Sequence, residues 1–344
     1  MKVGIIGATG YAGQQLVCLL TNHPKVSIEF LVSNSYVDEA YSDIYRNFRS
    51  RLDLKCISID EVSSYKKSID ILFIALPHGK SMSIVPEFLK EGIKVIDFGA
   101  DYRLKSKTEY KEWYGLDHAS PNLLNEAVYG LPELHKLDIQ QASLIANPGC
   151  YPTASILALA PLLDAKLIDN NSIIIDAKSG VSGAGRSLNT ATLYGEANES
   201  LKAYSVATHR HTPEIAQELS NVYENEVSVL FTPHLIPMNR GILATCYSTL
   251  NTLKSQEELL SLYSEFYKNH PFVRISNDLP ETKWVKNTNY CDISLRVDTR
   301  TNRVIVVSAI DNLMKGAASQ AVHNMNLMCN FDETEGLNLI SFLP

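Results

Sequence analysis

The sequence predicts an α/β fold in two parts, in which a parallel sheet covered by helices is followed by an α+β domain with a mainly antiparallel sheet. Three observations lead to this prediction. Apolar strands alternate with helical patterns over the first half of the chain, and a glycine-rich turn joins the first strand to the first helix. After residue 150, strands follow one another with few helices between them. The 344 residues also give about two domains at a typical ~150 residues each.

The first predicted domain covers residues 1–149. A helix is expected at residues 11–22, where apolar residues recur at helical spacing. Strands that are apolar on both faces are typical of a parallel sheet with helices on each side. Such strands are expected at residues 2–6, 27–32, 69–76, 94–98 and 143–146.

The second predicted domain covers residues 150–312. Helices are expected at residues 151–163 and 255–267. Strands are expected at residues 173–177, 227–231, 243–250, 292–297 and 303–310. A short polar loop joins the last two strands, which indicates a hairpin and hence an antiparallel sheet. A long helix is expected at residues 313–329, and the segment 313–344 is expected to complete the first domain.

Composition and charge exclude several classes of protein. Hydrophobic residues make up 45% and charged residues 20% of the chain, as in ordinary globular proteins. The net charge of −7 gives no general attraction to nucleic acid or anionic membrane. No apolar run approaches the ~18 residues of a membrane span, and the N-terminus lacks a secretory signal pattern. We therefore expect a cytoplasmic protein with neither nucleic-acid nor membrane partners.

A glycine-rich loop directly follows the first predicted strand. Glycine lets the backbone turn tightly and approach a pyrophosphate, and the N-terminus of the following helix offers N–H groups and a favourable dipole. The spacing is G-x-x-G-x-x-G, and the alternative is a tight turn without a ligand. Its position after a strand favours a Rossmann-type dinucleotide site. The candidate contacts are Gly7, Thr9, Gly10, Tyr11, Ala12 and Gly13.

The residues at the end of the second strand indicate whether NADP or NAD is the expected cofactor. In NAD enzymes an acid at this point binds the ribose 2′-hydroxyl. Here the chain reads Ser33-Asn34-Ser35, whose polar groups can bind a 2′-phosphate that no carboxylate repels. We therefore expect NADP(H), with Ser33 and Ser35 as contacts. Pro77 and His78 follow another apolar strand and are expected at the same ligand edge of the sheet.

Cys150 is the candidate nucleophile. It follows a Pro148-Gly149 turn at the end of a strand, and it lies at the beginning of a predicted helix. A helix N-terminus stabilises a thiolate and lowers the pKa of the thiol. The other cysteines lie in apolar patterns, apart from Cys291, for which the sequence decides nothing. The six cysteines form no C-x-x-C pair, so the sequence predicts neither a metal site nor a disulfide framework.

A catalytic thiolate needs an acid/base partner, and the densest histidine group is Thr208-His209-Arg210-His211-Thr212-Pro213-Glu214. In an extended segment, His209 and His211 would face the same side. Thr212 is expected to cap the following helix. Glu214 is a candidate to orient one of the histidines. The alternative is a surface or capping cluster without a catalytic role.

The chain resembles the N-acetyl-gamma-glutamyl-phosphate reductases, the NADPH-dependent enzymes of arginine biosynthesis. The resemblance runs from residue 3 to the C-terminus, and its most specific parts are NPGCYPT and HRHTPEI. It implies a Rossmann NADP-binding domain and an α+β domain like those of aspartate-semialdehyde and glyceraldehyde-3-phosphate dehydrogenases. It also implies a homo-oligomer, either a dimer or a tetramer. The motifs that carry it are GATGYAG, LPHG, DYRL, YGLPE, NPGCYPT, SGVSGAGR, HRHTPEI, PMNRG and DNLMKG.

The resemblance extends the candidate site. The family often has Arg where this chain has Asn34, so Ser33 and Ser35 are left as the expected contacts to the 2′-phosphate. The anionic substrate is expected to contact Arg103, Asn147 and Arg186, since arginine binds phosphate and carboxylate through paired hydrogen bonds. Further cofactor contacts are expected at Ser182, Gly183 and Asn312.

The resemblance implies that the Cys150 thiolate displaces phosphate from an acyl phosphate and that NADPH reduces the thioester. His209 or His211 would take the thiol proton and later protonate the collapsing alkoxide. Another acyl-phosphate reductase, such as aspartate-semialdehyde dehydrogenase or a carrier-linked reductase of lysine biosynthesis, would share this chemistry. A non-catalytic NADP-sensing module would use the glycine loop alone and would need no nucleophile.

Overall fold

The computed structural model describes residues 1–342, and the chain divides into two compact units. The first unit comprises Met1–Pro148 and Ala317–Asn338, and the second comprises Gly149–Gly316 and the described residues after Asn338. The helices are α1 Tyr11–Thr21, α2 Tyr41–Ile44, α3 Val85–Lys90, α4 Lys107–Tyr114, α5 Pro132–Gln141, α6 Cys150–Asp164, α7 Tyr194–Ala197, α8 His211–Tyr223, α9 Gln256–Phe266, α10 Thr282–Val285 and α11 Ala318–Met328. The strands are β1 Lys2–Ile6, β2 Ser27–Val32, β3 Cys56–Ile57, β4 Ile71–Ile74, β5 Lys94–Asp97, β6 Val128–Tyr129, β7 Leu144–Ala146, β8 Ile173–Gly180, β9 Lys202–Ala203, β10 Val229–Ile236, β11 Ile242–Thr249, β12 Val273–Ile275, β13 Cys291–Asp298 and β14 Arg303–Ile310.

The first unit is built on a seven-stranded sheet with the order β3-β2-β1-β4-β5-β7-β6. Its strand pairs are parallel, as the apolar runs predict. Helix α11 packs on α1 and α5 in this unit. Because the strands are parallel, the loops that follow β1, β2 and β4 lie at one edge of the sheet.

The second unit contains a seven-stranded sheet with the order β12-β13-β14-β11-β8-β10-β9. The pairs β8–β10 and β12–β13 are parallel, and the other pairs are antiparallel. The predicted hairpin is β13–β14, joined by a short polar loop. β10 is longer than predicted and pairs with β8 along its whole length, through Pro233 to Ile236.

Helix α6 is the central helix of the second unit, and it is apolar on all sides. All its residues from Tyr151 to Leu163 are buried. Three side-chain hydroxyl groups also donate hydrogen bonds to its carbonyl oxygens. The bonds run from Ser308 to Ala154 at 2.8 Å, from Tyr267 to Leu157 at 2.7 Å and from Tyr263 to Ala158 at 2.5 Å.

The C-terminal helix differs from the prediction. A helix was expected from residue 313 within a segment 313–344, whereas α11 begins at Ala318. The carboxylate of Asp311 accepts the N–H groups of Leu313 and Met314 at 2.8 and 3.1 Å, which folds the preceding residues into a turn. The helix ends at Met328, and the last two residues of the predicted segment lie outside the described residues.

Three further findings concern membrane-spanning helices, metal ligands and cysteines. Among residues 1–342, no helix is long and apolar enough to cross a membrane. In the same part of the chain, no group of three or more His, Cys, Asp or Glu residues could hold a metal ion. All six cysteines are present as thiols. Burial raises the pKa of Cys56 and Cys329 to about 11 and that of Cys246 to about 12, which makes these thiols unreactive.

Candidate active site

Cys150 is the first residue of α6, so its side chain lies at a helix N-terminus. β7 ends at Ala146, and the turn that follows leads to Gly149, the N-cap, in an extended conformation. The first N–H groups of a helix have no carbonyl partner within it, and the dipole there is positive. Both features stabilise a thiolate. Cys150 is partly exposed and therefore accessible to a substrate.

The turn after β14 packs directly against Cys150. A Cβ atom at Gly316 would lie 2.7 Å from the Cβ of Cys150 and 2.6 Å from the carbonyl oxygen of Asn312. Only glycine fits at this point without displacing a neighbour. The fully buried carboxylate of Asp311 stabilises the turn, and it also accepts the N–H of Asn287 at 2.7 Å.

Glu214 supports the residue that precedes the cysteine. It lies in α8 and is fully buried, and its Oε1 accepts the N–H of Gly149 at 2.8 Å. A hydrogen bond to a charged acceptor is stronger than one between neutral groups. Glu214 therefore holds the turn that presents Cys150, in addition to its predicted role beside the histidines, which stays a prediction.

His209 and His211 lie side by side next to the N-terminus of α6. Their ring centroids are 4.8 Å apart, and the ring of Tyr151 lies 5.7 Å from that of His209 and 6.0 Å from that of His211. Tyr151 directly follows the candidate nucleophile in the chain. Tyr204 and Phe231 complete the aromatic surroundings of His209, at 5.5 and 5.3 Å.

The backbone at the histidines differs from the predicted extended segment. Arg210 already has helical torsion angles (φ −60°, ψ −15°), and α8 begins at His211. The N–H of Thr212 donates to the carbonyl oxygen of His209 at 2.9 Å, so Thr212 lies within the first turn of the helix instead of capping it. A helical turn, not alternation along a strand, brings the two rings together.

The protonation state of His209 follows from its contacts. The backbone N–H of His211 donates to Nδ1 of His209 at 3.1 Å, so in the neutral ring the proton is on Nε2. Burial, and then the charge of Arg210, lower the pKa of His209 to about 4. At neutral pH His209 is therefore uncharged and presents an N–H donor at Nε2.

Three predicted cofactor residues lie together in the second unit. Asn312 donates to the hydroxyl of Ser182 at 3.0 Å and accepts the N–H of Gly241 at 2.7 Å. The hydroxyl of Ser182 in turn donates to the carbonyl oxygen of Asn239 at 2.6 Å. Gly183 follows and is exposed. Ser182 and Asn312 thus hold two loops together, and Gly183 is the one of the three that is open to a ligand.

The glycine loop of the first unit fits a pyrophosphate. Gly7 has φ +82°, and a Cβ there would lie 2.3 Å from the carbonyl oxygen of Ala75. A Cβ at Gly13 would lie 2.2 Å from the carbonyl oxygen of Gly7. Gly10 is the N-cap of α1, whose first turn, beginning with Tyr11 and Ala12, contains no acid. The close backbone packing and the uncompensated helix N-terminus suit an anionic dinucleotide.

The residues expected near a 2′-phosphate separate into buried and exposed positions. Ser33 is buried, and its hydroxyl lies 2.8 Å from that of Thr9, so the two side chains tie the glycine loop to the end of β2. Asn34 and Ser35 are exposed. Of the two predicted serines, Ser35 is the one that is open to a ligand.

Pro77 and His78 begin the loop that follows β4. Pro77 is exposed, and His78 is half-buried with its ring 5.4 Å from that of Tyr114. The next residue, Gly79, has φ +84°, and its N–H donates to the carboxylate of Asp101 at 2.6 Å. The loop thus lies at the predicted edge of the sheet, and the buried carboxylate of Asp101 holds it through the N–H of Gly79.

The predicted substrate residues lie in different environments. Arg103 is buried and donates to the carbonyl oxygens of Asn147 at 2.9 Å and Phe98 at 2.7 Å. The side chain of Asn147 is also buried, and it bonds to Ala317 and Asn324 at 3.0 Å each. Arg186, by contrast, is exposed. Arg103 and Asn147 therefore form part of the packing around the end of β7, whereas Arg186 is open to an anion.

Two family models together cover most of the chain. Residues 2–142 match the semialdehyde dehydrogenase NAD binding domain, and residues 150–312 match the semialdehyde dehydrogenase dimerisation domain. The second match supports the expectation that the chain forms an oligomer.

Relatives that match over their full length identify the family more narrowly than the two family models do. The chain is 54% identical over 343 residues to N-acetyl-gamma-glutamyl-phosphate reductase of Clostridium novyi, with 100% of this chain and 99% of that protein covered. It is 51% identical over 346 residues to the enzyme of the same name from Alkaliphilus metalliredigens, with 100% of both chains covered. The chain belongs to the N-acetyl-gamma-glutamyl-phosphate reductase family. The resemblance recognised in the sequence is thereby confirmed.

Solved structures show that the fold of this N-acetyl-gamma-glutamyl-phosphate reductase family member is shared more widely. Aspartate semialdehyde dehydrogenase II from Vibrio cholerae is similar with a TM-score of 0.74 at 17% identity, covering 96% of this chain and 98% of that one. Aspartate semialdehyde dehydrogenase with NADP from Candida albicans has a TM-score of 0.71 at 15% identity, covering 96% and 99%. The predicted fold class is confirmed.

Several residues that pack against the candidate residues of this family member were not predicted individually. Gly316 and Asp101 lie within the motifs DNLMKG and DYRL, so the sequence did contain a signal for them. Tyr204 lies in the segment that precedes His209 and Phe231 lies on β10, and no local pattern marks either residue. Their role beside the histidines depends on tertiary packing.

Proposed function

We propose that this chain reduces N-acetyl-L-glutamyl 5-phosphate with NADPH to N-acetyl-L-glutamate 5-semialdehyde and phosphate, as a step of arginine biosynthesis. The observation that carries the proposal is the position of Cys150 at the N-terminus of α6, beside two histidines, in a member of this reductase family. A cytoplasmic location and a homo-oligomer of two or four chains belong to the same proposal.

NADPH, when bound, supplies the hydride. The residues that would hold its pyrophosphate are those of the glycine loop, where the absence of side chains at Gly7 and Gly13 lets the backbone close on itself. Thr9 and Ser33 hold this loop against β2. Ser35 is exposed at the point where the 2′-phosphate is expected, and the neighbouring Asn34 adds an amide donor.

The protein contributes a nucleophile with a prearranged surrounding. Sγ of Cys150 forms a bond to the acyl carbon, and the bond from that carbon to the phosphate oxygen breaks, so phosphate leaves with the electron pair. The thioester then accepts hydride at the same carbon. When the carbon–sulfur bond breaks, the aldehyde leaves and the thiolate returns to Cys150. The bond between Glu214 and Gly149 keeps the thiol in place throughout.

The histidines handle the protons. The accepting nitrogen of neutral His209 is occupied by the N–H of His211, so His211 is the better candidate to take the proton of the Cys150 thiol. Because the proton of neutral His209 is on Nε2, this ring is suited to donate to the oxygen that becomes negative when hydride adds. The ring contacts with Tyr151 and Phe231 limit the rotation of His209.

Arg186 is the better of the two candidate arginines for the substrate's anionic groups. Arg186 is exposed on the loop that follows β8, whereas Arg103 is buried. A guanidinium binds phosphate or carboxylate through paired hydrogen bonds. Arg103 and Asn147 would act on the substrate through the position of the strand end that they stabilise.

The test is the reverse reaction, measured as phosphate-dependent reduction of NADP⁺. We expect N-acetylglutamate semialdehyde to exceed aspartate semialdehyde by at least ~10²-fold in kcat/KM. A preference for aspartate semialdehyde would transfer the chain to the alternative reductase, whose fold it shares. NADPH binding without turnover of either aldehyde would favour a sensing module. Cys150 argues against that module, since binding alone needs no nucleophile.

A further inference from the structure

A buried pair of acids lies beneath the loop that follows β4. Asp97 and Asp101 are both fully buried, and so is Ser81, which lies between them. The Ser81 oxygen is 2.8 Å from Oδ2 of Asp97 and 2.8 Å from Oδ2 of Asp101. None of these three residues has a part in the reaction described above.

The number of protons in this group follows from its geometry. A hydroxyl has one proton to donate, so Ser81 can donate to only one of the two carboxylates. The second contact is a hydrogen bond only if the other carboxyl carries a proton of its own. Two ionised carboxylates in contact with the same buried hydroxyl would also repel each other strongly. The pair therefore holds one shared proton.

The surrounding donors decide which acid is protonated. Asp101 accepts three hydrogen bonds in addition to the one from the Ser81 hydroxyl, and these stabilise its ionised form. They come from the N–H of Gly79 at 2.6 Å, the N–H of Ser81 at 3.1 Å and the O–H of Tyr110 at 2.7 Å. Asp97 accepts the N–H of Gly99 at 3.0 Å through Oδ1. Asp97 is therefore the protonated member: its Oδ2 donates to Ser81, and Ser81 donates to Asp101.

The other charged and titratable groups that face the pair leave Asp97 as the one that changes near neutral pH. Burial, and then the charge of Asp101, raise the pKa of Asp97 to about 7, although Arg103 opposes the shift. Burial raises the pKa of the phenols of Tyr102 and Tyr110, which stay neutral. Burial also lowers the pKa of His118, whose ring bonds the Asp101 carbonyl.

The pair is connected to the cofactor region by the backbone. Asp101 holds the loop through the N–H groups of Gly79 and Ser81, directly after the predicted cofactor contacts Pro77 and His78. The same loop approaches the glycine loop, because the Ala75 carbonyl oxygen fills the space beside Gly7. A change of charge at Asp97 or Asp101 therefore acts on the loop that carries Pro77 and His78, and the start of that loop packs against Gly7.

We infer that Asp97, Ser81 and Asp101 form a proton-sharing unit that positions residues 77–81 for NADPH, and that loss of its one proton weakens cofactor binding. The three are positioning residues that act through the loop. This inference rests on the proposed function, because it takes NADPH as the ligand of that loop. Above pH 7 the pair carries two negative charges and Ser81 loses its hydrogen bond with Asp97, so the loop is held by Asp101 alone beside a second buried charge.

The experiment is a fluorescence titration of NADPH binding to the full-length protein from pH 6 to pH 9. We expect the Kd of the wild type to rise by ~10-fold over this range, as linkage to one proton allows. Asp97→Asn should lack this rise, because its amide donates to Ser81 at every pH. Asp101→Asn should raise the Kd by ~10-fold or more already at pH 6, since its amide N–H faces the N–H groups that a carboxylate accepts.

Asp138→Asn, at an exposed position on α5, removes the same charge and should follow the wild type. The inference is overturned if Asp97→Asn keeps the pH dependence of the wild type, or if Asp97→Asn and Asp101→Asn behave alike. Circular dichroism monitors folding. If Asp101→Asn does not fold, the comparison of wild type with Asp97→Asn decides alone. A wild type that binds no NADPH at any pH would overturn the proposed function itself, which is a distinguishable result.

Discussion

Replacing Gly316 by alanine tests whether the turn after β14 fixes the position of the nucleophile. The added Cβ would lie 2.7 Å from the Cβ of Cys150 and 2.6 Å from the carbonyl oxygen of Asn312. Non-bonded carbon atoms pack at about 3.5–4.0 Å, so the turn and the cysteine must move apart by roughly 1 Å in total. Asp311 holds the turn through several N–H groups, which directs much of this movement towards Cys150.

Two magnitudes follow. Overpacking of this kind costs about 1–3 kcal/mol of the free energy of unfolding. A displacement of the reacting atom by about 1 Å reduces the rate of the chemical step by ~10²-fold. Gly316→Ala should therefore fold, lose ~10²-fold in kcat and retain its Kd for NADPH, because the glycine loop belongs to the other unit.

The matched control is Gly195→Ala. Gly195 lies in α7, and a Cβ there would meet no atom within 4 Å, so neither kcat nor stability should change appreciably. The measurements are kcat in the phosphate-dependent assay, the urea midpoint and the NADPH titration. A Gly316→Ala variant with the kcat and the urea midpoint of the wild type would refute the reasoning.

Three further predictions concern the cofactor, the nucleophile and a histidine. Ser35→Asp should lower the preference for NADPH over NADH in kcat/KM by ~10-fold or more, because like charges within ~4 Å repel by about 1–4 kcal/mol; an unchanged ratio would place the 2′-phosphate elsewhere. Cys150→Ser should bind NADPH but show no turnover, and in the wild type iodoacetamide should label Cys150 first, with substrate protecting it; residual turnover would contradict the thioester. The lowered pKa of His209 means that the unfolded chain gains this proton below about pH 6.5 and the folded chain only below about 4. Stability should therefore fall as the pH decreases through this window, by at most about 3 kcal/mol, and His209→Asn should flatten that part of the urea profile; an unchanged slope would refute the assigned burial.

The sequence predicts features that depend on local pattern and fails where packing decides. The parallel strands of the first unit, the glycine loop and the cysteine at the helix N-terminus are each marked by neighbouring residues. The predicted start of α8, with Thr212 as its cap, was wrong because Arg210 adopts helical angles that no residue type demands, and the helix begins at His211. The predicted start of α11 at residue 313 was wrong because the carboxylate of Asp311 holds a turn there, and apolar spacing does not reveal such a turn.

The burial of individual side chains also could not be predicted from the sequence. Ser33 and Arg103 were chosen for the chemistry of their side chains, but a sequence does not show that both are buried and bonded within the protein. The shared proton of Asp97 and Asp101 is equally invisible, because the two acids become neighbours of Ser81 only when β5 and the loop after β4 are in place. Ser35 and Arg186, chosen by the same criteria, are exposed.

The burial of α6 has a consequence for how this protein loses activity. Its carbonyl oxygens accept hydroxyl bonds from α9 and β14 in addition to the helical ones, so its amide groups should be among the slowest in the chain to exchange with deuterium. The nucleophile thus begins a segment that opens only when the second unit unfolds as a whole. Partial unfolding at exposed loops should spare the thiol, and heat or urea should inactivate the protein in one step together with global unfolding.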